Sequence, residues 1–341
     1  MGLPEAMALV MLTALAIYAL TGGADFGGGV WDLLARGPRT DQQRRLIEQA
    51  LAPVWEANHV WLIFVIVILF TAFPPVFSAM STGLHTPLLL MLMGIVLRGS
   101  AFVFRQYGGG PAPAARRWGR VFAIASVGAP FFLGTIVGAI TQGFSLTTRE
   151  PAVAAPSWVW TSPFSLLVGG FVLSLFAFLA AVYLTLEASD DPELAGDFRR
   201  RALVSGVVVG IFALSSAFGA RVYAPDFFAR WLGSWWSWPL QIVTGVLAIG
   251  TFFALWRARY RLARALAIVQ VAMVVFGWGA GQYPFLIPPT LTLRSAAAPP
   301  VTLRLLVPAL ILGGLLLLPS LYLLLRIFKS TRPPEHGSSQ S

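Results

Sequence analysis

LAPVWEANHVWLIFVIVILFTAF, the stretch from Leu51 to Phe73, decides the fold class. Most of it is apolar, and a helix needs about 20 such residues to cross a ~30 Å hydrocarbon core. Near its start it carries Glu56, Asn58 and His59. A charged side chain inside a spanning helix costs roughly 2.5 to 3.5 kcal/mol on insertion scales, so such residues usually face a bundle interior or a water path. Glu56 is therefore the first candidate for a functional residue.

The composition of the whole chain agrees with a membrane protein. Of 341 residues, 57% are hydrophobic and 11% are charged, and the mean hydropathy is +0.75. The absence of cysteine excludes disulfides, thiolate metal sites and iron–sulfur clusters. The net charge of +10 is spread over short loops between apolar runs. It therefore indicates membrane orientation and gives no support to a nucleic-acid partner.

Nine apolar runs predict an all-α, polytopic membrane protein with about nine transmembrane helices. We expect a single integral membrane domain over residues 1–329 and a disordered cytoplasmic tail over 330–341. The nine runs lie near 3–22, 53–73, 84–104, 120–142, 163–187, 202–222, 238–257, 263–284 and 303–328.

The distribution of basic residues predicts the orientation. With the N-terminus outside, 18 of the 24 basic residues fall in the inner connections and the C-terminal segment, and five fall in the outer connections. Arg98 lies within the third run. By the positive-inside rule, this asymmetry predicts an outside N-terminus and a cytoplasmic C-terminus.

A weak internal similarity suggests a repeat. AIYALTGGAD (Ala16 to Asp25) resembles AVYLTLEASD (Ala181 to Asp190), and a basic run follows each segment. The similarity fits two four-helix units of parallel orientation, 3–142 and 163–284, followed by a ninth helix over 303–328. Chance similarity between membrane helices is the alternative.

The polar residues of the second run allow several kinds of site. Glu56 and His59 have the Glu-x-x-His spacing of di-iron bundles, but such a site needs a second pair and two further helical acids. This sequence has a single Glu-x-x-His and almost no other intramembrane acid. One haem could not be ligated by both His59 and His85, because the topology separates them by roughly 20 Å in depth. A neutral histidine hydrogen-bonded inside the bundle is the interpretation we favour for each.

Proton handling is the remaining chemistry. We expect Asp25 after the inner end of the first helix and Glu56 at the inner end of the second. Burial disfavours the charged form of a carboxyl group, and this suits proton exchange near neutral pH. The alternative is a structural ion pair in which Arg98 is the charge partner of Glu56.

The glycines around Asp25, in GGADFGGG, are not a dinucleotide fingerprint, because no strand precedes them and the spacing is wrong. Gly23 and Gly27 have the small-xxx-small spacing of closely packed membrane helices. We expect either close packing here or a bent helix end that orients Asp25.

Four motifs together resemble subunit II of the cytochrome bd quinol oxidases, a family that includes the cyanide-insensitive type. They occur in the family's order and span most of the chain. The motifs are GGADFGGGVWDLL (22–34), APVWEANHVWLI (52–63) with FPPVF (73–77), LRGSAFVFR (97–105) and GQYPFLIPP (281–289).

The resemblance implies a multi-pass subunit in the bacterial cytoplasmic membrane. Its complex would oxidise quinol and reduce dioxygen to water, with two b-type haems and one d-type haem in a pseudo-symmetric partner, subunit I. This chain alone would bind no haem and would not be catalytic. The resemblance leaves room for small single-helix accessory subunits and for a bound structural quinone or lipid.

The resemblance also implies residue roles. Glu56 takes the place of an acid, Asp in many members, that lines a proton route from the cytoplasm, and Asp25 matches an acid at the same entrance. Asn58 and His59, the latter often Gln in the family, would orient the acid or a water chain. Arg98 would tune the local field. A secondary transporter with buried coupling acids is the alternative function, and a purely structural scaffold is a third.

Overall fold

The computed structural model describes residues 2–51, 55–107, 112–144 and 156–330. Within these ranges, the chain forms thirteen helices and one short antiparallel hairpin. The bounds are α1 Leu3–Leu33, α2 Thr40–Leu51, α3 Trp55–Ala72, α4 Pro74–Gly83, α5 His85–Tyr107, α6 Ala112–Gln142, α7 Pro156–Val159, α8 Pro163–Glu187, α9 Pro192–Tyr223, α10 Pro225–Gly233, α11 Ser237–Trp256, α12 Tyr260–Gln282, β1 Phe285–Ile287, β2 Leu291–Thr292 and α13 Pro300–Ser330. Residues 331–341 of the predicted tail lie outside the described ranges.

The long helices confirm the predicted all-α, polytopic fold. Within the described ranges, eight helices are long and apolar enough to cross a membrane, and a ninth span results if the bent pair α3 and α4 is counted as one. Each of the nine predicted runs coincides with one of the long helices or with α3. The short helices α2, α4, α7 and α10 were not predicted.

The prediction for the end of the first helix was wrong. We expected it near residue 22, with Asp25 beyond it, but α1 continues through the glycines to Leu33 and Asp25 lies inside the helix. The reason is the apolar surroundings, since an unwound segment there would leave backbone N–H and C=O groups without partners. Helical hydrogen bonds satisfy these groups even where glycine would favour a break.

Two proline-initiated turns have the same backbone geometry. Phe73 separates α3 from α4 with φ −135° and ψ 59°, and Pro74 begins α4. Ala224 separates α9 from α10 with φ −137° and ψ 58°, and Pro225 begins α10. At the first turn the chain bends by 115°. Proline suits the first position of a helix because its missing N–H would have no helical partner there.

Helix α1 lies at the centre of the bundle and packs against α3, α6, α8 and α12. The other extensive contacts join α5 with α6, α8 with α9, α11 with α12, and α6 with α8. Helix α13 is peripheral and touches mainly α1 and α3. The division into two four-helix units stays a prediction.

The glycines of α1 fit it closely between its neighbours. A Cβ atom at Gly27 would overlap the backbone carbonyl of Phe176 on α8, and one at Gly23 would lie 2.8 Å from Leu179 Cδ1. Each of these glycines therefore allows α8 to approach the α1 backbone. Asp25, between them in sequence, is fully buried.

Candidate functional site

A buried ion pair joins α1 to α5. Arg98 donates from Nη1 to Asp25 Oδ2 over 2.7 Å and from Nη2 to Asp25 Oδ1 over 2.6 Å. A third hydrogen bond, of 3.1 Å, runs from Nη2 to the Asp25 backbone carbonyl. Only 3% of Arg98 and none of Asp25 is exposed. Two parallel N–H···O bonds match the planar guanidinium to the carboxylate, the geometry that best offsets the cost of burying both charges.

The remaining surface of the guanidinium is also occupied. Its Nε donates to Ser126 Oγ on α6 over 2.9 Å, and Ser126 in turn donates to the Phe122 carbonyl over 2.7 Å. The rings of Phe26 and Phe122 lie 4.9 and 4.8 Å from the guanidinium carbon. Aromatic faces attract a cation, and here they also exclude water from it. The pair is thus fixed by three helices.

A glycine makes room for this arrangement. A Cβ atom at Gly29 would overlap the Ser126 side chain. Any larger residue would therefore displace Ser126 and with it the hydrogen bond to Arg98. This close approach explains why α1 carries a glycine at a helical position, where glycine is unfavourable by roughly 0.5 to 1 kcal/mol relative to alanine.

A second polar contact lies one turn away along α1. Asn58 on α3 is fully buried, and its Oδ1 lies 3.0 Å from Thr21 Oγ1. Thr21 precedes Asp25 by four residues, so the two contacts share a face of α1. Asn58 reaches α1 beside Gly22, where a Cβ atom would lie 2.9 Å from the amide nitrogen.

The Asn58 amide has an unpaired atom among the described side chains. Its Nδ2 is buried and has no hydrogen-bond partner. Turning the amide over would let Nδ2 donate to Thr21 and would leave Oδ1 unpaired in its place. In either orientation one polar atom remains for a water molecule or a further side chain. Buried polar groups rarely stay unpaired, because each costs about 1 to 3 kcal/mol.

The predicted residues are therefore only partly brought together. Asp25 meets Arg98, and Asn58 meets the same face of α1 one turn earlier. Glu56 lies in the first turn of α3, two residues before Asn58, but its side chain lies outside the described part of the chain. The described ion pair of Arg98 is with Asp25, whereas the sequence suggested Glu56 as its partner. His59 is half-buried on α3.

The histidines of the described ranges do not fit a shared haem. His85 is exposed at the start of α5, where its ring nitrogens lie 3.3 Å from the Thr82 carbonyl and 3.2 Å from Thr86 Oγ1. Most of α3, about 20 Å of helix at 1.5 Å per residue, and all of α4 separate it from His59. Across the described residues, no group of three or more acidic, histidine or cysteine side chains could hold a metal ion.

Sequence reasoning missed four residues of this site: Thr21, Phe26, Phe122 and Ser126. The signal for Ser126 was a small hydroxyl residue in an apolar helix, but sequence alone could not assign its partner. The two phenylalanines have no distinctive signal, since the chain contains 25 phenylalanines.

The fold and this site define a multi-pass, helical membrane protein with a buried acid–arginine pair at its centre. The family model for cytochrome bd terminal oxidase subunit II matches residues 3–328. The chain belongs to this family, whose members are subunits of an oxidoreductase complex.

Two relatives match over most of their length. The chain is 23% identical to a Bacillus subtilis (strain 168) protein provisionally named a cytochrome bd menaquinol oxidase subunit II, over 92% of this chain and 91% of that one. It is 24% identical to the cytochrome bd-I ubiquinol oxidase subunit 2 of Escherichia coli (strain K12), over 80% of this chain and 78% of that one.

A solved structure shows the same fold. One chain of the bd oxidase from Geobacillus thermodenitrificans matches with a TM-score of 0.74 and 22% identity, over 97% of this chain and all of that chain. The family match over nearly the whole chain favours an oxidase subunit over the transporter and scaffold alternatives.

Proposed function

We propose that this chain is the haem-free subunit II of a quinol:oxygen oxidoreductase in a bacterial cytoplasmic membrane. In this role it supports a haem-bearing subunit I and contributes a proton route from the cytoplasm. The two relatives are named as menaquinol and ubiquinol oxidase subunits, which supports quinol as the electron donor of the complex. Small accessory subunits, and a bound lipid or quinone, are compatible with this role.

Under this proposal the haems are held by the partner subunit, and the separation of His59 from His85 along α3 and α4 is compatible with that. The haems would supply the electron transfer to oxygen. The work of this chain is then to hold the partner and to move protons. Protons that enter from the cytoplasm, while quinol releases its own outside, separate charge without a pump.

The single observation that carries the proton route is the buried Asn58 amide, which is incompletely paired among the described residues. It lies two residues after Glu56 and one helical turn from the Asp25–Arg98 pair. A water molecule bound to the free amide atom would extend a hydrogen-bonded path along this face of α1. His59, the next residue of α3, would orient that water or the acid.

The geometry distinguishes the two acids within this proposal. Both oxygens of Asp25 accept hydrogen bonds from Arg98, and a guanidinium stays protonated in proteins. A relay through Asp25 would require this pair to open at each transfer. Glu56 is therefore the better candidate for the group that takes up and releases protons. Asp25 and Arg98 would form a fixed dipole, one turn of α1 from the Asn58 contact, that sets the local field.

The complex itself provides the first test. We expect the chain, purified from its native membrane in mild detergent, to bring a larger partner that shows b- and d-type bands in the reduced-minus-oxidised spectrum. A variant with His59→Gln and His85→Gln should keep these bands, because the haems are in the partner. A haem-free chain without a partner would contradict the proposed function. Loss of bands in the variant would indicate that a histidine of this chain ligates a haem.

Replacement of Glu56 tests the proton route. We expect Glu56→Gln and Glu56→Leu to leave assembly intact and to slow oxygen consumption by about tenfold or more, since lost proton-transfer groups cost roughly 10²- to 10⁴-fold in general. The matched control is Asp41→Asn, which removes an exposed acid at the start of α2. Unchanged turnover would remove Glu56 from the route. A lower melting temperature with normal turnover would make it a structural ion-pair partner.

A further inference from the structure

A cavity of about 360 Å³ lies where α1 ends and α9 begins. Its walls come from the end of α1, the linker before α2, α2 itself and the first turns of α9. The lining residues are Trp31, Arg36, Pro38, Arg39, Gln43, Asp197, Arg200, Arg201 and Val204. Four guanidinium groups thus face one carboxylate across this space, which we name the arginine cavity.

The charge of one of the four arginines is already balanced by acidic side chains. Arg39 donates to both oxygens of Asp197, over 2.9 and 2.7 Å, and to Glu193 over 2.7 Å. Gln43 also donates to Asp197, over 2.8 Å. Hydrogen bonds to Asp197 raise the pKa of Arg39 above its ordinary value. These contacts fix the linker and α2 against α9, and they leave a net positive charge in the cavity.

Arg201 forms part of the cavity wall, and one of its N–H donors is unused among the described residues. Its guanidinium lies over the rings of Trp31 and Phe198, at 5.4 and 5.1 Å, and its Nη2 donates to Gln43 Oε1 over 2.6 Å. Its Nη1 is buried and has no acceptor among the described residues. The indole N–H of Trp31 donates to the Ala177 carbonyl over 2.7 Å, so the ring is held in place. A preorganised cation with an unused N–H is suited to an anionic oxygen.

We propose that the arginine cavity binds the phosphate group of an anionic molecule, either a phospholipid headgroup or a soluble phosphate compound. Arg201 would supply a buried N–H donor. The exposed arginines Arg36 and Arg200 would close over the phosphate from the linker and from α9. Planar guanidinium groups bind phosphate oxygens in pairs, and for this reason arginine is common where phosphate is recognised.

The position of the cavity fits a lipid. It adjoins the ends of two membrane-spanning helices, and Trp31, Pro38 and Val204 give it an apolar side. An anionic lipid could place its phosphate against the arginines and its glycerol against these residues. Basic clusters at the ends of transmembrane helices attract anionic lipids.

The test uses the complex with its co-purifying subunits, delipidated and studied by native mass spectrometry and thermal melting. Phosphatidylglycerol, phosphatidylcholine and inorganic phosphate are added separately. We expect phosphatidylglycerol to bind and to raise the melting temperature. A variant with Arg36→Gln and Arg200→Gln should bind it at least tenfold more weakly. The matched control, Arg259→Gln with Arg261→Gln, removes two exposed arginines near the start of α12, outside the cavity lining.

The outcomes distinguish a phospholipid headgroup from a soluble phosphate compound as the ligand. Dependence on phosphatidylglycerol that requires Arg36 and Arg200 supports a lipid phosphate, and the same dependence on inorganic phosphate supports a soluble ligand. Equal binding of both lipids, or equal losses in the two double variants, would overturn the proposal. It would also be overturned if the Arg36 and Arg200 variant lost a protein subunit while lipid binding stayed the same. None of these results depends on whether the complex oxidises quinol.

Discussion

Asp25 and Arg98 show how the cost of burying one charged residue is offset by another. A lone buried charge costs several kcal/mol, and removing one partner of a buried pair typically destabilises a protein by about 3 to 5 kcal/mol. The sequence placed Arg98 within a membrane-spanning run and singled out Asp25 as a candidate acid just after the first one. It could not identify the pairing, because 73 residues separate them and only the packing of α6 against both α1 and α5 brings them together. Ser126 was missed for the same reason.

The pair predicts a thermodynamic coupling. Arg98→Gln should lower stability by about 3 kcal/mol, because it leaves Asp25 buried without its cation. Adding Asp25→Asn should recover part of this loss, so the double variant should lose less than the sum of the single variants by more than about 1 kcal/mol. Thermal melting of the purified complex measures each term.

An exposed pair provides the control for this cycle. Arg294 contacts Glu5 over 3.1 Å, and 82% of the Arg294 side chain is exposed. Arg294→Gln should leave the melting temperature unchanged, because exposed pairs contribute little. Additive effects at Asp25 and Arg98 would show that the two charges are not energetically coupled.

At the scale of the elements, the sequence predicted the long helices well and the short ones poorly. Apolar runs locate a membrane-spanning helix because the bilayer demands about 20 apolar residues. Short helices such as α2 and α10 have no such requirement, and their ends depend on local turns. The end of α1 was mispredicted because glycine disfavours a helix in water-soluble proteins. In an apolar bundle the chain stays helical, because only the helical hydrogen bonds satisfy its backbone groups.

Substitution by alanine should have different effects at a glycine in the contact between α1 and α8 and at a glycine with open space beside it. Gly27→Ala should destabilise the protein by about 1 to 3 kcal/mol, because its methyl group would overlap the backbone of α8. Gly128→Ala on α6 meets nothing within 4 Å and should be neutral or stabilising by up to about 1 kcal/mol, since alanine favours a helix. Melting temperatures of the two variants give the comparison. The same sign for both would contradict the proposed packing role of Gly27.

At the scale of the whole molecule, the number of membrane crossings depends on the bent pair α3 and α4. If the pair crosses once, the chain has nine spans and its termini lie on opposite sides of the membrane. If the pair enters and leaves on one side, there are eight spans and the termini lie on the same side. The basic residues favour nine spans with the C-terminus in the cytoplasm.

The absence of cysteine allows a direct test, because each introduced thiol is the only one in the chain. Asp41→Cys and Ser189→Cys should both resist a membrane-impermeant maleimide in intact cells, and Thr290→Cys should react. All three positions are exposed. Nine spans place residues 41 and 189 on the same side, since four crossings separate them. Labelling of only one of these two would show that α3 and α4 do not cross.

The two residues of the ion pair are synthesised at different times. Asp25 leaves the ribosome 73 residues before Arg98, a delay of about 4 to 15 s at typical rates of synthesis. During that interval the arginine that pairs with Asp25 in the finished bundle has not yet been synthesised. The fifth helix then arrives with the cation, and the eighth, which covers the glycine face, arrives later still. The central helix of the finished bundle is therefore the first to be synthesised, and the helices that pack around it all follow it.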